Sequence, residues 1–89
     1  MESLQTLASI KSRVRDFIIE NFRYGDASGV TDDLSLVSSG VVDSTGVLEV
    51  ITFLEDTFAI KIADPEVVPE NLDSVDTIAA FVERKLERR

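Results

Sequence analysis

Three windows of this chain place apolar side chains at helical spacing, and that periodicity limits the fold more than any other feature. Leu7, Ile10, Val14, Phe17 and Ile18 form the first set, Val47, Ile51, Leu54 and Phe58 the second, and Val75, Ile78, Val82 and Leu86 the third. Spacings of three and four put each set on one face of a helix, directed at a shared core. The one alternating stretch, Ala59-Ile60-Lys61-Ile62, is too short to build a sheet and reads as an extended connection. The chain is expected to be all-α, one domain over 1–89: helix 4–22, loop 23–43, helix 44–58, a short helix 65–71 and a last helix 74–88. Three substantial helices and one short one make a small four-helix bundle.

Turn and cap chemistry sets the breaks. The first helix begins near Ser3 or Thr6, and Tyr24-Gly25 and Ser28-Gly29 end it. The long connection that follows keeps Leu34, Leu36, Val37, Val41 and Val42, enough apolar surface to seal one end of a bundle rather than stay disordered. Asp64-Pro65-Glu66 reads as a helix start with Asp64 as cap, and Pro69 is expected to limit that helix to about a turn. Asp73 or Ser74 caps the last helix, whose end carries Arg84, Lys85, Arg88 and Arg89.

Composition removes several functions. Cysteine and histidine are both absent, so the chain has no disulfide, no thiolate ligand, no imidazole base and no Ser-His-Asp triad. No catalytic residue is assigned. No metal site is assigned either: Asp32-Asp33 and Asp64-x-Glu66 lack the spaced oxygen ligands of a calcium loop. No apolar run is long enough to span a membrane, and the N-terminal residues do not read as a signal peptide. From Asp26 to Asp76 there are twelve acidic residues and only Lys61 as a base, a net of −11 within an overall −8. That balance argues against nucleic acid, and it suits either basic protein partners or simply a well-solvated acidic surface, which charge by itself does not separate.

One serine stands out against this background. Gly40-Val41-Val42-Asp43-Ser44-Thr45-Gly46 sets Ser44 at the start of the second helix, where Ser44 or Asp43 can cap the first turn. An attached phosphate there would meet free N–H groups and the positive end of the helix dipole. On the outward side of the same helix, Leu48, Thr52 and Glu55 line one flank with Glu49 and Asp56 beside them. Phe53 falls between the inward and outward faces.

Gly40, Asp43, Ser44, the amphipathic helix and Phe58 together resemble the acyl carrier protein family, which includes peptidyl and D-alanyl carriers. The resemblance runs on through Ile60-Lys61-Ile62 and the closing helix, covering nearly the whole chain. It implies a bundle of acyl-carrier type and a 4′-phosphopantetheine, drawn from coenzyme A, esterified to Ser44. Asp43 would assist the phosphopantetheinyl transferase, and the outer face of the second helix (Leu48, Glu49, Thr52, Glu55, Asp56) would dock partner enzymes. Those partners would be the transferase, a loading ligase and downstream synthases of fatty acid, polyketide or nonribosomal type. A freestanding, cytoplasmic, monomeric, non-catalytic carrier is the resulting expectation, and a pantetheine arm would import the thiol that the chain lacks. Thr45 departs from the family, which usually has leucine there, and suggests service to a dedicated ligase. The competing expectation is an unmodified acidic helical adaptor for basic proteins.

Overall fold

The computed structural model describes residues 6–88, and among them every regular element is helical. In chain order these are α1 (Leu7–Phe22), α2 (Ser44–Phe58), a 3₁₀ turn (Asp64–Glu66), α3 (Pro69–Leu72) and α4 (Val75–Glu87). The molecule is a small four-helix bundle, with α4 packed against each of the other three helices. Thr6 caps α1, its hydroxyl oxygen accepting the Ser9 N–H at 3.1 Å. Ser3, the residues before Thr6 in the expected first helix, and Arg89 lie outside the described residues. No helix among the described residues is long and apolar enough to cross a membrane.

Ile10, Val14, Ile18, Leu54, Val75, Ile78 and Val82 are all essentially fully buried. Each such side chain contributes roughly 1.5–3 kcal/mol on transfer from water. Other core members depart from the expected stripes. Ile19, Val30, Val50, Ala79 and Phe81 are buried as well, whereas Leu7, in the first turn of α1, is 38% exposed. In α2 the deepest line is Gly46, Val50, Leu54 and Phe58, with Val47 and Ile51 half-buried on its flank.

Gly46 is the reason for that rotation. A Cβ on Gly46 would lie 2.8 Å from Phe22 Cε1 and 3.0 Å from Val42 Cγ1, so the α1 terminus and the loop both rest on this bare backbone. Gly46→Leu therefore overpacks the junction, and we expect a loss of about 1–3 kcal/mol in urea unfolding. A helix of unchanged stability would show that the junction yields freely.

The short third element differs from the expected 65–71 helix. Ala63, not Asp64, precedes the first turn, which is 3₁₀ and stops at Glu66. Pro69 then starts α3 rather than ending a helix, since a missing N–H and a fixed φ suit the first helical position. Val68 before it is extended (φ −134°, ψ 156°), as a residue preceding proline must usually be. Glu66 ties this region to α4: its carboxylate accepts the Ala63 N–H at 2.9 Å and the Lys85 ammonium at 2.9 and 3.1 Å. The Ala63 N–H first, and Lys85 second, hold the Glu66 carboxyl below its usual range. A lowered folded pKa stabilises the fold above the unfolded value of 4.5 and loses that effect as pH falls through the folded one. The melting difference between wild type and Glu66→Gln should thus be steady near neutrality and vanish in acid. A difference that persists below the carboxylate range would refute this account.

Candidate functional site

The connection between α1 and α2 is held by contacts to distant residues. Arg15 donates from Nη1 to the Val30 carbonyl and pairs with Asp32 at 3.5 Å, while the Asp32 carbonyl accepts the Asp76 N–H at 2.9 Å. Asp73 is the main clamp. Its carboxylate accepts the Ser35 hydroxyl at 2.6 Å and the Val37 N–H at 3.2 Å, and its backbone carbonyl accepts the Leu36 N–H at 2.7 Å. Leu36 and Val42 are buried, Leu34 and Val41 half-buried, and Val37 is 52% exposed. The Val42 N–H donates to the Leu36 carbonyl at 3.0 Å, and Gly40, at φ +83°, turns the chain between them.

This framework delivers Asp43 and Ser44 to the start of α2. Asp43 is the cap: its Oδ1 accepts the Gly46 N–H at 2.7 Å. Ser44 is then the first helical residue, exposed, and among the described residues its hydroxyl has no hydrogen-bond partner. The hydroxyl is not engaged in capping, so it points to no structural duty. The geometry suits a serine that carries something: it is reachable from solvent, at the positive end of a helix, with first-turn N–H groups nearby. Thr45 beside it is exposed as well, whereas Gly46 faces the core. Gly46 is therefore set by packing under Phe22 and Val42, not by access to Ser44.

Leu48, Glu49, Thr52 and Asp56 all lie on the exposed surface of α2, with Leu48 64% exposed. Glu55 does not join them. It is half-buried, and its Oε2 accepts the Ile62 N–H at 2.9 Å, pinning the extended 59–62 segment to α2. Phe53 packs on α1, with its ring stacked on Phe17 at 4.1 Å. Of the acidic pairs Asp32-Asp33 and Asp64-x-Glu66, Asp32 is engaged by Lys11 and Arg15 and Glu66 by Lys85. Among the described residues no group of three or more His, Cys, Asp or Glu side chains is placed to hold a metal ion.

Two surface features had no clear signal in the sequence. Val37, Val47, Val67, Val68 and Leu72 line a cleft of about 350 Å³ between the loop, α2 and α3. Val37, Val67 and Val68 fall in connections, where no periodicity marks them. Phe17 and Asn21 of α1 share a groove with the outer face of α2, although the spacing of Phe17 had placed it with the core residues.

No family model matches the chain. Among curated proteins it is similar to the "probable acyl carrier protein PigG" of Serratia sp. (strain ATCC 39006), with 25% identity over 75 residues, covering 84% of this chain and 86% of that protein.

Proposed function

We propose, from a chain that resembles the acyl carrier protein family in motif, helical bundle and sequence, that this domain is a non-catalytic carrier of acyl or aminoacyl thioesters. Ser44 is the residue we assign to 4′-phosphopantetheine. The observation that carries the reading is the division of labour at the head of α2, where Asp43 caps the helix and leaves the Ser44 hydroxyl exposed. The bound arm would supply the thiol on which a thioester forms. The chain's own residues present the serine, hold the first turn and shape the surface that enzymes approach. Only Oδ1 of Asp43 accepts the capping bond, which leaves its other carboxylate oxygen to assist a transferase. Thr45, exposed next to Ser44, would give loading enzymes a smaller and more polar contact than the family's usual leucine, in keeping with a dedicated ligase. The cleft beside Val47 offers apolar cover near the site for a carried group.

Intact mass tests this directly. Protein incubated with coenzyme A, Mg²⁺ and a broad-specificity phosphopantetheinyl transferase should gain one phosphopantetheine. If a reference carrier is labelled in the same mixture and this chain is not, the adaptor reading replaces the carrier reading.

A further inference from the structure

Between α1 and α2 lies an open groove of about 590 Å³ alongside Thr45, Leu48 and Thr52, adjoining a hollow of about 340 Å³ next to Arg13. The Phe17 and Phe53 rings form the shared floor, stacked with 13° between their planes and each half-buried. Leu48 stands at the edge. Asn21 donates to the Phe17 carbonyl at 2.9 Å, and the Thr52 hydroxyl donates to the Leu48 carbonyl at 3.1 Å, so these polar linings are satisfied within their own helices.

The rim is acidic from both sides. Glu49 and Asp56 come from α2, and Asp16 and Glu20 from α1. All four are exposed, and none has a hydrogen-bond or ion-pair partner among the described residues. Elsewhere Asp32, Asp73, Asp76, Glu55 and Glu66 are engaged in holding the fold. Among the described residues no base lines the groove itself, and Arg13, which lines the adjoining hollow, leans over the Phe58 ring at 6.0 Å. Free carboxylates therefore surround an apolar aromatic floor. That is the complement of a helix whose apolar stripe is edged by Lys and Arg. A second copy placed symmetrically on the groove would oppose acid to acid.

We propose that the α1–α2 groove docks a basic amphipathic helix of a partner protein. One apolar side chain of that helix sits over the Phe17–Phe53 pair, and its basic side chains face Asp16 and Glu20 on one side and Glu49 and Asp56 on the other. The resemblance places docking on the outer face of α2 alone. Here α1 supplies half of the acidic rim and half of the aromatic floor. The groove exists whether or not Ser44 is modified, so the proposal stands or falls separately from the carrier reading.

The probe is a helical lysine–leucine amphipathic peptide, with a glutamate–leucine peptide of the same pattern as control. The unmodified protein is titrated with each, and its amide resonances are followed. The lysine peptide should shift amides around Phe17, Asn21, Leu48 and Phe53, and bind more weakly as salt is raised. Asp16→Lys combined with Glu20→Lys, both exposed α1 positions, should weaken it about tenfold or more with helicity unchanged. Reversing Glu70 and Asp64, acidic but off the groove, should change it by less than about twofold. Leu48→Ala should weaken binding without altering its salt dependence. Equal weakening by the two charge reversals would overturn the proposal, leaving only unspecific attraction to an acidic protein. So would shifts confined to α2, shifts elsewhere on the surface, or the same groove shifts appearing from self-association on concentrating the protein alone.

Discussion

Ser44→Ala will remain folded and take up no phosphopantetheine. The expected loss is complete because, among the described residues, no other serine or threonine shares the setting of Ser44, an exposed hydroxyl at the first position of a long helix whose cap is already supplied. Stability should hardly change. The capping bond runs from the Gly46 N–H to Asp43, and the Ser44 hydroxyl has no partner among the described residues to lose. Alanine is also the better helix former, by a few tenths of a kcal/mol. Asp43→Ala makes the counterpart: removing a true cap should cost about 1 kcal/mol, and labelling should slow without being abolished. Intact mass and urea unfolding on the two variants separate the roles. Full labelling of Ser44→Ala would remove the assignment, and a large loss of stability in it would show that the hydroxyl has a structural duty.

Asp73→Ala should be the most destabilising change outside the apolar core. It removes the acceptor of both the Ser35 hydroxyl and the Val37 N–H, contacts that join residues 36 to 38 positions apart. Hydrogen bonds to a charged acceptor are worth about 1.5–3 kcal/mol, and the carboxylate is only half-exposed. For a domain of this size each kcal/mol lowers the melting temperature by about 4–8 °C. The Leu36 N–H keeps its bond to the residue 73 backbone carbonyl, so the loop should loosen and not detach. Amide exchange is expected to quicken at Val37 and Val42 while the centres of α1 and α4 stay protected. Labelling of Ser44 should slow as well, because Leu36 and Val42 link the clamp to the floor beneath Gly46. Unchanged exchange at Val37 and Val42 would show that apolar burial alone holds the loop.

Both predictions bear on how Ser44 is presented, yet only the first rests on a feature legible in the sequence. A cap acts on N–H groups within about three residues, and an amphipathic stripe repeats within four. Asp43-Ser44 and the three apolar windows could therefore be read along the chain, and with them the all-helical bundle. The order of the long connection was legible only in outline, from its count of apolar residues. Which of them would be buried was not, and Val37 ended outside while Val30 ended inside.

What the sequence determined by itself was whatever neighbours in the chain decide among themselves: helical periodicity, the start of α2 and the absence of thiol and imidazole chemistry. The tertiary structure decided the rest by bringing together residues that are far apart. Phe22 and Val42 pressing on Gly46 turned α2 so that Val50, not Val47, is innermost. Ile62 and Lys85 claimed Glu55 and Glu66, while Glu49, Asp56, Asp16 and Glu20 were left at the surface. A carboxylate looks the same in any sequence window. Whether it braces the fold or faces a partner depends on which N–H or ammonium group the folded chain carries to it.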